Sequence, residues 1–198
     1  MGRNVKRSHQ HNTLRIIGGQ WRGRKLTFSP GKNLRPTPDR VRETLFNWLS
    51  ASINGARCLD LFAGSGALGI EALSRGALSC DFVDNSAAAI SQIRQHLNML
   101  KTEQPMVCQA MSADQFLTSI ELPYDIVFLD PPFDQALLEP SCLQLYQKQL
   151  ISDGGLVYAE SHAKATATAV PESWELLRDK TAGDVHYRLF RTQRVDGA

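Results

Sequence analysis

Asp130-Pro131-Pro132-Phe133 closes the apolar run Tyr124-Asp-Ile-Val-Phe-Leu129. That places the four residues at the carboxyl end of a buried strand, where open α/β sheets do their chemistry. Two consecutive prolines fix φ and remove two backbone donors. The turn then presents the Asp130 carboxylate, the Pro131 carbonyl and the Phe133 ring in a stiff arrangement that suits a planar amine. The exocyclic amino group of a nucleobase is a poor nucleophile, because its lone pair is delocalised into the ring. An enzyme must accept its N–H protons and hold the base flat, and these residues offer both. The tetrapeptide taken alone is equally a strand-ending turn whose phenylalanine caps the core.

A second motif lies upstream. Cys58-Leu-Asp-Leu-Phe62 reads as a short buried strand, and Ala63-Gly-Ser-Gly-Ala-Leu-Gly69 reads as a glycine-rich turn opening a helix near Ala67. Gly64, Gly66 and Gly69 fit the GxGxxG spacing, which serves a dinucleotide pyrophosphate as well as S-adenosylmethionine. Asp60 separates the two readings, since a carboxylate at the mouth of the loop repels a pyrophosphate. The ammonium group of S-adenosylmethionine is instead held by it, directly or through water. The expected cofactor contacts here are Asp60, Phe62, Ala63, Gly64, Ser65 and Gly66.

Leu78 to Asp84 reads as the second strand, ending in an acid placed to accept both ribose hydroxyls, with Asn85 beside it. The competing role for Asp84 is a helix N-cap, which Asn85 or Ser86 could fill instead. Val107 to Ser112 reads as a third strand, after which Ser112 or Asp114 and the Ala113 backbone N–H could meet the adenine edge. Gln135 to Leu150 is a crossover helix, Asp153-Gly154-Gly155 a turn, and Leu156 to Glu160 the fifth strand. His162 follows closely enough to approach the site, although a lone histidine there is more often an exposed polar residue. Trp174 to Leu177 and Val185 to Arg191 form a terminal hairpin around Ala182-Gly183-Asp184.

A doubly wound sheet would gather Asp60, Asp84 and Asp130 into one crevice. The expected fold is therefore α/β: a Rossmann-like class I S-adenosylmethionine-dependent methyltransferase. Its seven-stranded, mostly parallel sheet carries an antiparallel terminal strand, preceded by a short basic hairpin and helix. Residues 1–52 form that extension and residues 53–198 the methyltransferase domain, in one compact unit.

The 198 residues, 42% hydrophobic, suffice for one full α/β core. Cys58, Cys80, Cys108 and Cys142 are widely spaced, without a CxxC pair or Cys/His cluster, so neither a disulfide framework nor a metal site is expected. No apolar run has the length of a membrane span, and the basic start at Arg3, Lys6 and Arg7 leads into no signal-peptide core; a cytoplasmic protein is expected. The net charge of +2 conceals an asymmetry. Residues 1–42 sum to +10 and residues 43–198 to −8, the footprint of a protein that grips a phosphate backbone at one end.

Within the basic segment, Met1 to Asn12 reads as a solvated tail. Ile16-Ile17 and Trp21 then flank Gly18-Gly19 in a tight turn lined by Arg15, Arg22, Arg24 and Lys25. Trp21 either stacks on an unpaired base or packs against the body. Thr37 is a candidate N-cap, with Pro38 at the first helical position, and Val41, Leu45, Trp48 and Leu49 recur with helical spacing. Arg40 and Arg42 near the helix start call for a phosphate or a carboxylate such as Glu43.

Two N-terminal blocks are specific, Leu14-Arg-Ile-Ile-Gly-Gly-Gln-Trp-Arg-Gly-Arg-Lys-Leu26 and Leu34-Arg-Pro-Thr-Pro-Asp-Arg-Val-Arg-Glu-Thr-Leu-Phe-Asn-Trp-Leu49. With the Asp60 glycine loop and Asp130 to Phe133, they make nearly the whole chain resemble the RsmD family of 16S rRNA guanine-N2 methyltransferases. The resemblance implies transfer of one methyl group from S-adenosylmethionine to N2 of a single guanine, 966 in the usual rRNA convention. It implies 16S rRNA as partner, within the small ribosomal subunit or an assembly intermediate, and a monomer that needs no metal. Arg15, Trp21, Arg22, Arg24, Lys25, Arg35 and Arg40 are then the candidate RNA contacts. Two positions depart from the family pattern: Asp84 stands where Glu is common, and Ser86 where a second acid often follows. A DNA adenine-N6 methyltransferase would use the same Asp-Pro-Pro-Phe logic, but this length leaves no room for a target-recognition domain. A noncatalytic RNA-binding or assembly factor is opposed by the intact Asp60, Asp84 and Asp130.

Overall fold

A computed structural model describes residues 12–28, 37–165 and 170–193. The chain opens with an antiparallel hairpin of β1 (Asn12–Arg15) and β2 (Lys25–Phe28). The order continues α1 (Asp39–Trp48), β3 (Arg57–Asp60), α2 (Ala67–Ser74), β4 (Ser79–Asp84), α3 (Ala87–Leu100), β5 (Cys108–Ala110) and α4 (Ala113–Ser119). Then follow β6 (Tyr124–Leu129), α5 (Leu138–Gln147), β7 (Ile151–His162), β8 (Glu175–Ala182) and β9 (Val185–Arg191).

Seven strands form one sheet in the order β5-β4-β3-β6-β7-β9-β8. The first five are mutually parallel, and β9 runs antiparallel to both β7 and β8. The chain leaves β3 toward β4 and β5, then returns to place β6 on the other side of β3. The topological switch point therefore lies between β3 and β6, and a ligand crevice belongs at their carboxyl ends.

Side-chain alternation builds the two layers. Cys58, Ile126, Phe128 and Tyr158 face the layer of α1, α2, α3 and the hairpin, whereas Leu59, Val127, Leu129 and Ala159 face α4 and α5. Burial on both faces explains why these strands read as continuous apolar runs. Leu14, Ile16, Leu26 and Phe28 of the hairpin and Val41 and Leu45 of α1 belong to the same core as the sheet. Hydrophobic packing is thus continuous across the expected boundary at residue 52. At the hairpin turn, Gly19 has φ +74 and lies so close to α2 that a Cβ would overlap the Ser74 carbonyl.

Several boundaries differ from the sequence reading. Asp153-Gly154-Gly155 lies within β7, as a bulge that shifts the β6 pairing from Tyr124 with Ile151 to Ile126 with Leu156. It stays in the sheet because the Gly154 N–H donates to the Thr192 carbonyl and the Thr192 N–H to the Gly155 carbonyl. Helix α5 starts at Leu138, later than Gln135, since Ala136 takes a left-handed φ of 48° that a helix does not accommodate. Strand β5 is only three residues long. Strand β8 runs on to Ala182, because its pairing with β9 continues through the charged residues Arg178, Asp179 and Lys180. Among the described residues no helix is long and apolar enough to cross a membrane.

Candidate active site

Four neighbouring parallel strands finish in acids: Asp60 on β3, Asp84 on β4, Asp130 just after β6, and Glu160 near the end of β7. The glycine loop between β3 and α2 is braced by two of them. Asp84 Oδ2 accepts the Gly64 N–H at 2.8 Å and Oδ1 accepts the Ser86 N–H at 2.8 Å. A carboxylate with one bond to each oxygen keeps lone pairs for further donors, and Asp84 is half-buried at the loop mouth. The cap of α3 is made by Ser86, whose hydroxyl accepts the Ala89 N–H, so Asp84 is spared that role. Gly64 and Gly66 have φ of 52° and 77°, which only glycine adopts without strain. Gly69 sits so tightly against β4 that a Cβ would overlap the Phe82 ring and the Cys80 sulfur.

Asp60 points inward. Its Oδ2 accepts the Gly69 N–H at 2.9 Å, and only 2% of its surface is exposed. It braces the first turn of α2 through that oxygen. Burial pushes its carboxyl up to about 7, against the pull of the Gly69 N–H and with the push of Asp130 and Asp84.

The remaining candidate cofactor residues surround this loop. Phe62 is half-buried against the α4–α5 core, Ala63 donates its N–H to the Val83 carbonyl, Ser65 is buried and Asn85 is exposed. Ser112 forms a capping box with Gln115 at the start of α4. Its hydroxyl is committed there, which leaves the first-turn N–H of Ala113 as the better donor for an adenine edge.

Asp130 is half-buried, and its Oδ2 accepts the Thr37 hydroxyl at 3.3 Å. Thr37 was expected to cap α1, but Pro38 occupies the N-cap position and no side chain caps there. The Thr37 hydroxyl is turned to Asp130 while its carbonyl accepts from Arg42 Nε. Desolvation pushes the Asp130 carboxyl up to about 6, with the Thr37 donor opposing. Pro131 is buried and Pro132 exposed. Phe133 is 43% exposed, which decides against a role as a core cap, and its ring meets His162 edge-on at 6.0 Å.

The structure divides the candidate RNA contacts. Arg15, Arg22, Arg24, Lys25 and Arg40 are exposed, and Arg35 lies outside the described residues. Trp21 is 7% exposed and belongs to the core. It is removed as a stacking surface, because the hairpin turn presses it onto the body. Arg42 is also withdrawn from solvent, and its partners are Asp39 at 2.6 Å and Glu71 at 3.7 Å; Glu43 is not among them. Glu71, fully buried in α2, accepts the backbone N–H groups of Ile17 and Gly18 and pairs with Arg75. It ties the basic hairpin to the helix that begins at the glycine loop.

Sequence reasoning missed Glu71, the use of Thr37, and Glu160, to which the Tyr158 hydroxyl donates at 2.7 Å. The signal for Glu160 was present, since Leu156 to Ala159 is an apolar run closed by an acid, as in the strands that end at Asp60 and Asp130. Glu71 was equally visible as the lone acid in the apolar octapeptide Ala67 to Ser74.

Comparison with known proteins identifies the family. A family model described as Conserved hypothetical protein 95 matches residues 14–191. Ribosomal RNA small subunit methyltransferase D of Escherichia coli strain K12 is 47% identical over 180 residues, 91% of this chain and 90% of that protein. The protein of the same name from Haemophilus influenzae is 44% identical over 181 residues, 90% of this chain and 93% of its own. The solved structure of Escherichia coli yhhF superposes with a TM-score of 0.82 at 47% identity, covering 92% of this chain and 99% of that one. In extent, identity and fold alike, the chain belongs to the ribosomal RNA small subunit methyltransferase D family.

Proposed function

We propose that the protein transfers one methyl group from S-adenosylmethionine to the exocyclic N2 of a single guanine in 16S rRNA, position 966 in the usual convention. The substrate is the small ribosomal subunit or an assembly intermediate, and the enzyme works in the cytoplasm as a monomer. One observation carries this reading: Asp130, held by Thr37, stands at the switch-point crevice beside an exposed Phe133 ring, one strand away from the glycine loop. The names of the relatives add the RNA.

The residues fit the cofactor by the chemistry of their donors and acceptors. Asp84 retains lone pairs for ribose hydroxyls, the loop carries glycines where the backbone must turn, and the nearby acids favour a cationic ligand over a pyrophosphate. When bound, the group supplies a methyl carbon on a positively charged sulfur. The protein's part is positioning, which converts an encounter into an effectively unimolecular step. Phe133 stacks on the extruded base, as flipped or unpaired bases require, and Asp130 with the Pro131 carbonyl accepts the two N–H groups. The amine becomes acidic only as its new bond forms, so Asp130 need take a proton only then. Exposed Arg15, Arg22, Arg24, Lys25 and Arg40 hold the RNA backbone.

The test is incubation with labelled S-adenosylmethionine and small subunits from cells lacking the modification, followed by nuclease digestion and mass spectrometry. N2-methylguanine at one 16S position is expected, with Asp130→Ala slowing transfer at least about 100-fold while cofactor binding persists. Transfer that survives Asp130→Ala, or a methyl group on adenine, would overturn the assignment.

A further inference from the structure

His162 has no task in the transfer described above, yet it touches the residue on which the target base would stack. Its ring meets the exposed Phe133 ring edge to face, with centroids 6.0 Å apart and planes at 87°. The two come from neighbouring strands: Phe133 from the turn after β6, and His162 from the last position of β7.

Phe133 carries a free ring on a stiff backbone. Pro131 and Pro132 fix φ on its N-terminal side, and the Gln135 N–H closes the turn on the Pro132 carbonyl at 3.2 Å. That backbone sets where the Cα of Phe133 lies and leaves the ring to turn about its own side-chain bonds. An exposed side chain changes rotamer within picoseconds to nanoseconds, and an edge-to-face neighbour favours one orientation over the others. His162 is itself fixed. It lies opposite Val185 in the β7–β9 ladder, and the next residue, Ala163, donates its N–H to the Asp184 carbonyl at 2.8 Å. The His162 carbonyl accepts the Ala165 N–H at 2.9 Å, and its ring Nδ1 accepts the Lys164 N–H at 3.0 Å. The imidazole is thereby fastened to its own backbone at the end of a sheet strand. The bond at Nδ1 also leaves the proton of the neutral ring on Nε2.

We propose that His162 is a positioning residue that holds the Phe133 ring in the plane on which the target base stacks, so that the amine meets Asp130 in one orientation. A stacked base follows the tilt of the ring beneath it, and a misplacement of about 1 Å at the reacting atom can slow a reaction by about 100-fold. Ordering the ring before the base arrives also spares that cost at the encounter. Affinity for RNA comes chiefly from its phosphates, so His162 acts on kcat and leaves KM for the subunit to the basic segment.

The inference rests on the methyltransferase reading through the stacking role of Phe133, and the two fail differently. Wild-type protein that transfers no methyl group to small subunits, or transfer indifferent to Phe133→Ala, would remove the reading of the site and the inference with it. Where wild type is active and Phe133→Ala is slow, changes at His162 test the inference alone. His162→Ala should lower kcat about threefold to tenfold, the range an edge-to-face pair spans. KM for the subunit and affinity for the cofactor should both stay within about twofold of wild type. His162→Phe keeps the aromatic neighbour without a ring N–H and should restore kcat to within about twofold of wild type; the Lys164 N–H that it releases is at the surface and turns to water. In the Phe133→Ala background, His162→Ala should cost nothing further, because the ring it orders is gone. Melting temperatures recorded alongside separate lost transfer from lost fold, and His162→Phe carries the test where His162→Ala folds poorly. Independent losses in the double-mutant cycle, or His162→Phe as slow as His162→Ala, would overturn the proposal. Slow transfer by His162→Phe that His162→Gln repairs would give His162 a hydrogen bond from Nε2 to the base in place of the ring contact.

Discussion

Asp60 shows how one residue can link stability to ligand binding. Its carboxyl is held at about 7, so between its ordinary value of 3.8 and about 7 the folded chain keeps a proton that the unfolded chain releases. The stabilisation is fully present below the unfolded value and is lost as pH rises through the folded one. Asp130 and Glu160 act in the same direction. The melting temperature of ligand-free protein should therefore fall between about pH 5 and pH 8, and Asp60→Asn should flatten that fall. An Asp60→Asn variant with the wild-type slope would refute the linkage. A cationic ligand reverses the preference by favouring the carboxylate. Cofactor affinity should then rise with pH through about 7, and calorimetry in buffers of different ionisation enthalpy should detect a released proton. Asp60→Asn should abolish that release and weaken binding by about tenfold; release that persists in the variant would assign the proton to another group.

At the scale of elements, the joint between the hairpin and α2 matters most. Glu71 is fully buried and receives two backbone N–H groups from the hairpin turn, Arg75 from its own helix and Arg42 from α1. Removing one side of such a joint leaves Arg42 buried with less compensation, so Glu71→Ala should cost about 3–5 kcal/mol in denaturant unfolding. Limited proteolysis should then cut at the hairpin first, and uniform protection would argue that the turn docks without Glu71. This joint also marks where sequence reading stops. Strands β3, β4 and β6 were legible because burial on both faces writes them as apolar runs closed by acids. The start of α2 was legible because Gly66 breaks the chain before Ala67. Strand β8 was legible only in its first part, since an edge strand bearing Arg178, Asp179 and Lys180 carries no burial pattern. The Thr37 bond to Asp130 spans 93 residues, and local capping rules favoured the nearer role. The direction of Asp60 was equally hidden, because it depends on the Gly69 N–H arriving from the helix that Asp60 itself braces.

Across the whole molecule, charge and topology together set how RNA is approached. The basic hairpin lies over α2 and α3: Gln20 donates to the Ser74 carbonyl, Arg24 to the Met99 carbonyl, and Gln92 to the Thr27 carbonyl. After the hairpin, Thr37 lies beside Asp130, so the positive segment is anchored at both the helical layer and the Asp130 end of the sheet. The remainder of the chain sums to −8 and repels phosphate, so in the proposed function the backbone is drawn in by the basic segment. Each phosphate contact releases counterions, with a slope of about 0.7 per contact for single-stranded nucleic acid. Replacing Arg22, Arg24 and Lys25 by Gln should therefore lower the slope of log affinity against log salt by up to about 2. Cofactor affinity should be unchanged, because none of the three reaches the glycine loop or Asp84. KM for the subunit should rise while kcat holds near wild type, as expected when binding common to ground and transition states is removed. A collapse of kcat at unchanged salt slope would mean that the hairpin orders the catalytic end and does not grip the backbone.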